Sequence, residues 1–321
     1  MVISQKIGCA NVGFPTRFAS RDETRKLNSH DADVVAVVVT YHPDAKLQSR
    51  LQAIRSQVDG LVVIDNGSRN VNAVHAAATQ SNCDVIRNQA NMGIAHALNQ
   101  AAAVAIERGA TWLAMFDQDS DIPTGAVATL LATYSRAPDP EAVAIVAMSR
   151  RDRGADHDYH LVGDILDQNE DMRSVRTTIT SGSMIRLDLF RLFGDFDEKL
   201  FIDSVDLEYC LRLRCAGFQI IESLHAVMSH ALGNAERKAF LGRDFILTHH
   251  GPSRRYYITR NQLEVARRYA RRDPRWSART LKDLLVASLT TLAFEPARAE
   301  NLGAMLRGLC DFVLRRFGPR P

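Results

Sequence analysis

No stretch of the 321-residue chain approaches the roughly 18 consecutive apolar residues that a membrane-crossing helix needs. The longest late run, Leu284 to Phe294, is broken by Ser288, Thr290 and Thr291. The first thirty residues lack an apolar core followed by a small-residue cleavage site, so residues 1–32 read as a loosely ordered lead-in and not as a signal peptide. Cysteine is scarce: Cys9, Cys83, Cys210, Cys215 and Cys310 are odd in number and form no Cys-x-x-Cys, which points to a reducing, cytoplasmic setting. Strong net charge is also missing, at only +3, although nine arginines fall between Arg254 and Arg279 against Glu264 and Asp273. With 46% hydrophobic and 24% charged residues, the chain can bury one large domain, or one domain with a helical appendage.

What is present is an alternation of short β-branched runs and helical stretches. Val34 to Thr40 is a continuous apolar strand of the kind buried on both faces of a parallel sheet. Leu47 to Val58 has helical spacing, Leu61 to Ile64 is a second strand, and Val71 to Thr79 is a second helix. Asp84 to Arg87 is a third strand, Ile94 to Arg108 is an Ala-rich helix stopped by Gly109, and Trp112 to Phe116 is a fourth strand. This rhythm predicts an α/β fold with a doubly wound, mostly parallel sheet. Its ligand edge carries Thr40 and Tyr41, Asp65 and Asn66, Asn91 to Gly93, and Asp117-Gln118-Asp119-Ser120. Side chains alternate along a strand, so Asp117 and Asp119 are expected on one face. Two hard oxygen donors there suit Mg²⁺ or Mn²⁺ carrying a diphosphate.

In order and spacing, several segments resemble the inverting family 2 glycosyltransferases of the GT-A fold, in particular their bacterial rhamnosyltransferase-like branch. They are Val-Val-Val-Thr-Tyr-His at 37–42, Val-Ile-Asp-Asn-Gly-Ser at 63–68, Asn-Met-Gly-Ile-Ala at 91–95, Phe-Asp-Gln-Asp-Ser at 116–120, Thr-Ser-Gly-Ser at 180–183, and Phe-Ile-Asp-Ser-Val-Asp-Leu-Glu-Tyr-Cys-Leu-Arg at 201–212. The resemblance implies a Rossmann-like nucleotide-binding half and a donor site drawn from Thr40, Tyr41, Asp65, Asn91, Gly93, Asp117, Gln118, Asp119, Arg254 and Tyr257. It puts Ser181, Gly182, Ser183 and Asp203 beside the acceptor. For the metal it implies Asp117 and Asp119, joined by His230, which lies 24 residues after Asp206. The Asp-Gln-Asp-Ser form is most similar to enzymes that transfer rhamnose from a dTDP-sugar.

Inversion requires a base for the acceptor hydroxyl. Aligning on Arg212 makes Asp206 that base, with Asp203 as its rival because Val205 stands where the family often has Glu. The alternative is that Asp203 and Ser204 only cap the helix from Val205 to Ala216, which Gly217 ends. Likewise, Asp65 to Ser68 is a good turn by itself, and Asn91 a good helix cap. The tail segment Arg254 to Asn261 resembles an Arg-x-Tyr-Tyr-x-x-Arg-Asn element of rhamnosyltransferase relatives. Farther on, Arg267, Arg268, Arg271 and Arg272, and the face Leu302, Met305, Leu306, Leu309 and Val313, give basic and apolar helices that suit an anionic membrane surface or a second subunit.

The expected organisation is a catalytic domain over 33–252, divided into a nucleotide-sugar half at 33–121 and an acceptor half at 122–252, followed by a basic helical extension at 253–321. The expected activity is transfer of L-rhamnose from dTDP-L-rhamnose to a lipid-linked or oligosaccharide acceptor in surface polysaccharide synthesis. A UDP-sugar donor is the alternative within the family. A nucleic-acid-binding protein is the rival class, opposed by carboxylates gathered at one sheet edge, which repel phosphate unless metal intervenes. A non-catalytic sugar-binding relative would lack the base or the metal acids, and both are present.

Overall fold

The computed structural model describes residues 33–152, 164–230, 236–240, 243–247, 250–295 and 297–320, with backbone alone at 151–152, 229–230, 236–240 and 243–247. Its first half is built from β1 (Val34–Thr40), α1 (Leu47–Arg55), β2 (Gly60–Asp65), α2 (Val71–Gln80), β3 (Asp84–Arg87), α3 (Ile94–Glu107) and β4 (Trp112–Asp117). These strands pair in parallel in the order β3-β2-β1-β4. Alternate residues of one strand enter different cores. Val35 and Val37 join Val62, Ile64, Leu113 and Met115 under α3, while Val34, Ala36 and Val38 join Leu61, Val63 and Phe116 under α1 and α2. Burial on both faces is what a continuous apolar strand requires.

The second half adds α4 (Ala126–Ser135), β5 (Val143–Asp152), β6 (Ile165–Gln168), β7 (Met172–Val175), β8 (Ser183–Arg186), α5 (Leu187–Phe193), α6 (Val205–Cys215) and β9 (Gln219–His230). The nine-stranded order is β3-β2-β1-β4-β8-β5-β9-β7-β6. Because β8 runs antiparallel to both β4 and β5, β5 and its parallel partner β9 end at the same edge as β1, β2 and β4. A backbone hairpin, β10 (Glu236–Phe240) with β11 (Arg243–Leu247), stands apart from this sheet.

Three helices follow: α7 (Pro252–Tyr269), α8 (Pro274–Phe294) and α9 (Arg298–Val313). The outer two pack on α7, and α9 crosses it so closely that a Cβ on Gly308 would lie 2.6 Å from the Tyr256 carbonyl oxygen. The Tyr256 hydroxyl donates to Asp311 Oδ2 at 2.7 Å across the same contact. The arginine run does not form one open basic face. Glu264 accepts from Arg267, Arg268 and Arg315, Arg268 also reaches Asp197, and Arg255 is buried against Glu295. Among the described residues, no helix is long and apolar enough to cross a membrane.

Candidate active site

Register places the first group of side chains. Thr40 pairs with Asp65 and Val39 with Asp117, so β1, β2 and β4 finish together. Asp65 is wholly buried, with Oδ1 accepting from the Ser68 amide at 3.0 Å. Its Oδ2 is buried and has no hydrogen-bond partner among the described residues. A buried orphan acceptor costs about 1–3 kcal/mol, so this oxygen suits a ligand donor. Asn66 ties the next loop down. Its Nδ2 donates to Asn91 Oδ1 at 3.0 Å and to Gly93 O at 3.2 Å, and its Oδ1 accepts from the Met92 amide at 3.0 Å. Asn91 therefore braces a loop, and the helix cap of α3 is Gly93. Gly93 has φ +88°, and a Cβ there would sit 2.5 Å from Phe201 O, so only glycine fits.

Between Asp117 and Ser120 the chain turns. The strand stops at Asp117, and the Ser120 amide donates to Asp117 O at 3.1 Å. The turn, and not the strand pleat expected from sequence, relates half-buried Asp117 to exposed Asp119. Gln118 leans back to β1, where its Oε1 accepts from the Tyr41 amide at 2.7 Å and its Nε2 donates to Tyr41 O at 3.2 Å. Arg50 braces the turn from α1, donating to Gln118 O at 3.3 Å and to Asp121 Oδ1 at 3.0 Å. Ser181 comes from the loop before β8, and its Oγ accepts from the Asp117 amide at 3.1 Å. Gly182 follows with φ +76°, its amide donating to Met115 O at 2.8 Å, while Ser183 Oγ donates to Thr180 O at 2.7 Å. Ser183 thus holds its own turn together.

Segment 201–206 begins against the Asn91–Gly93 loop, where Phe201 O accepts from the Ile94 amide at 2.8 Å. Phe201, Asp203 and Ser204 all have left-handed φ, at 65°, 62° and 65°. Each such non-glycine residue costs about 1–2 kcal/mol, and strain of this kind persists only where neighbours enforce it. Ser204 occupies the cap position of α6 but makes no side-chain cap bond, so capping does not account for these residues. Asp203 Oδ1 accepts from Arg254 Nε at 3.2 Å, and its buried Oδ2 has no partner among the described residues. Burial raises the Asp203 carboxyl above its ordinary range, against the charge of Arg254. Asp206, half-buried in the first turn of α6, accepts from the Leu207 amide at 2.8 Å. Burial pushes its carboxyl up to about 6; the Asp203 charge adds to this, while the Leu207 amide and the Arg150 guanidinium oppose it. Glu208 is committed elsewhere, to Arg212 and to the Tyr269 hydroxyl at 3.0 Å.

Several residues here were not singled out from the sequence. Arg150, near the end of β5, and Arg173 are both buried on Glu222, at 3.2 and 3.0 Å. The Thr178 hydroxyl donates to the same glutamate at 3.1 Å, and Thr178 also contacts Cys210 of α6, one turn beyond Asp206. No spacing in the sequence joins these, because they lie on β5, β7, β9, α6 and the loop before β8. Tyr257, expected at the donor, is instead buried: it stacks on Phe201 with centroids 5.2 Å apart, and its hydroxyl accepts from the Arg320 amide at 2.7 Å. The structure therefore gives Tyr257 a packing role behind segment 201–204. His230 ends β9, with its backbone in register with Asp152 at the ligand edge, and its side chain lies outside the described residues.

Among the described residues, no three His, Cys, Asp or Glu side chains converge as a ready-made metal cage. Asp117 and Asp119 on one tight turn offer two hard oxygen ligands. That fits Mg²⁺ or Mn²⁺, which bind through one or two carboxylates and take substrate phosphates and waters for the rest.

Comparison with known proteins agrees with this geometry. Residues 35–193 match the family described as Glycosyl transferase family 2. The chain is 31% identical over 252 residues to the dTDP-rhamnosyl transferase RfbF of Shigella flexneri, covering 74% of this chain and 81% of that one. Among solved structures, S. aureus TarS superposes with a TM-score of 0.54 at 15% identity, covering 88% of this chain and 49% of TarS. TarS 1–349 in complex with UDP gives 0.52 at 14% identity, covering 88% of this chain and 80% of that one. Those likenesses establish the GT-A architecture, and the sequence match over most of both chains establishes that this protein belongs to glycosyltransferase family 2.

Proposed function

We propose that this enzyme is an inverting rhamnosyltransferase that moves L-rhamnose from dTDP-L-rhamnose to a glycan or lipid-linked glycan in the synthesis of a bacterial surface polysaccharide. The observation that carries the chemistry is Asp206, a carboxylate raised to about 6 within the field of Asp203 and of Arg150 near the end of β5. A base with its pKa close to working pH combines the ionised form with useful basicity. The acceptor hydroxyl loses its proton to Asp206 as its oxygen bonds to the anomeric carbon. The bond from that carbon to the diphosphate breaks on the opposite face.

Asp65 Oδ2 accepts from the nucleobase, and the loop from Asn91 to Gly93 borders the sugar. Ser181 and Gly182 line the acceptor side. Asp117 and Asp119, with His230 as the third ligand, would hold Mg²⁺ or Mn²⁺, which supplies positive charge to the departing diphosphate. Donor identity leans on the relative's name, dTDP-rhamnosyl transferase RfbF.

The test incubates purified protein and Mg²⁺ with dTDP-rhamnose, UDP-galactofuranose, UDP-glucose and UDP-N-acetylglucosamine, and follows donor hydrolysis and thermal stabilisation. The reading requires dTDP-rhamnose to give the largest response. A larger response to a UDP-sugar assigns the second donor class.

The extension also meets a surface. Leu281, Leu285 and Leu289 on α8, and Leu302, Leu306, Leu309 and Val313 on α9, are exposed stripes at helical spacing. Exposed Arg275, Lys282 and Arg307 lie on the same helices. Leucines with a cationic rim suit the headgroup region of an anionic membrane, where a lipid-linked acceptor resides.

A further inference from the structure

We infer that Asn261 is a positioning residue for the catalytic segment, holding Phe201, Asp203 and Ser204 in their left-handed backbone so that Asp203 and Asp206 face the acceptor. The inference rests on the reading of Asp206 as the base. Asn261 is wholly buried on α7, and its Nδ2 reaches three carbonyls: Leu200 O at 2.7 Å, Ile202 O at 2.7 Å and Asp203 O at 3.0 Å. An amide nitrogen has only two hydrogens, so at least one is shared. Three carbonyls converge on one donor group only if the chain curls around it, and the left-handed residues supply that curl.

Arg260 completes the grip. It is 1% exposed, donates to Lys199 O at 3.4 Å and Leu200 O at 3.3 Å, and fixes Asn261 Oδ1 through Nε at 3.0 Å. That last bond sets the amide orientation, with Nδ2 toward the loop. Arg260 Nη1 also donates to Gly318 O at 2.8 Å, and the Gly318 amide donates to Lys199 O at 2.7 Å, so the end of the chain closes over the same loop. On the opposite side Phe201 O accepts from the Ile94 amide at 2.8 Å and presses on Gly93. Segment 199–204 is therefore gripped between the Asn91–Gly93 loop and the helical extension.

The test compares wild type with Asn261→Asp, Asn261→Ser, and each of these combined with Ser204→Gly. Asn261→Asp is close in shape but turns an acceptor toward three carbonyls. It is expected to lower kcat by about 10²-fold, as a small displacement of a catalytic group does, while calorimetric affinity for the donor nucleotide stays within about twofold. Glycine at 204 adopts positive φ without steric cost, so Ser204→Gly is expected to return about tenfold of the lost rate. If the aspartate fails to fold, the serine variant, which retains one donor, carries the comparison. Amide exchange is read alongside, whatever the activity. Residues 202–207 are expected to exchange about tenfold faster in the variants while β1 to β4 keep their protection. A kcat near wild type, a loss confined to donor affinity, no gain from glycine, or exchange that rises uniformly overturns the inference. A wild-type protein that transfers no sugar defeats the proposed function instead, and the exchange result still decides the role of Asn261.

Discussion

The hydroxyls of Ser120 and Ser181 meet at 2.8 Å, and the Asp117 amide donates to both at 3.1 Å. Ser120 belongs to the acidic turn and Ser181 to the loop before β8, so this buried contact fastens the turn at the end of β4 to that loop. Removing either hydroxyl leaves the amide the other oxygen, while removing both takes away both of these acceptors. Ser120→Ala and Ser181→Ala should each cost about 1 kcal/mol of stability. The double variant should cost more than their sum, with a coupling of about 0.5–3 kcal/mol in a denaturant-melting cycle. Additive losses would show that the two hydroxyls act separately.

Asp206 sets the acid limb of the pH profile. A carboxyl that ordinarily loses its proton near 4 does so here at about 6. The base form is therefore lost as pH falls through about 6, and kcat/KM should drop about tenfold per unit below that point. Asp206→Asn should cut turnover by about 10²–10⁴-fold and abolish this limb, with donor affinity retained. If Asp203→Asn is the crippling change and Asp206→Asn is mild, the roles of the two acids are reversed. The effect on folding has the opposite sign. Between about 4 and 6 the folded chain holds a proton that the unfolded chain has released, so this group's contribution to stability grows as pH is lowered through that window.

Chelation should abolish transfer, and added Mg²⁺ or Mn²⁺ should restore it. Asp119→Ala should remove most activity with little change in melting temperature, because the side chain is exposed on a turn. Full turnover in excess chelator would remove the metal from the mechanism.

Gly308→Ala should lower stability, since the new methyl would sit 2.6 Å from the Tyr256 carbonyl oxygen, which is backbone and cannot swing aside. Overpacking of this kind costs about 1–3 kcal/mol, which a thermal melt reads as a drop of several degrees. An unchanged melt would mean that α9 is free to shift on α7.

Vesicle binding tests the outer stripes of α8 and α9. The intact protein should sediment with anionic vesicles and release as salt rises, because surface cations are screened within a Debye length. Leu285→Gln with Leu306→Gln should weaken this binding and leave donor affinity unchanged. A protein that ignores vesicles but becomes monomeric on these substitutions would assign the stripes to a second copy of the chain.

The first half of the fold was legible because its physics is local. Val34 to Thr40 is apolar on both faces, and the observed β1 has those bounds. The α6 stop at Gly217 and the α3 stop at Gly109 were equally readable, since both glycines take positive φ. The first helix ends at Arg55, short of the expected Val58. Beyond Asp121 the periodicities fade. Strands β6, β7 and β8 span only four residues each, and β8 is inserted between β4 and β5 by tertiary pairing. The site divides in the same way. Acids at strand ends announce themselves, whereas Arg150, Glu222 and Asn261 act across 72 and 58–61 positions of sequence, and no spacing rule reaches that far. The arginine run divides similarly: Glu264 stands three and four positions before Arg267 and Arg268 on one helix, whereas Asp197 meets Arg268 and Glu295 meets Arg255 only once the helices are packed.

Gly93, Phe201 and Asn261 also bear on how relatives of this enzyme can be recombined. Exchanging helical extensions among family members to alter acceptor choice suggests a graft junction between Pro252 and Ser253, where the expected domain boundary lies. Such a junction separates the amide of Asn261 from the carbonyls of Leu200, Ile202 and Asp203. Segment 199–204 and α7 therefore form one exchangeable cassette, and a chimaera that keeps them together inherits the left-handed backbone of that segment intact.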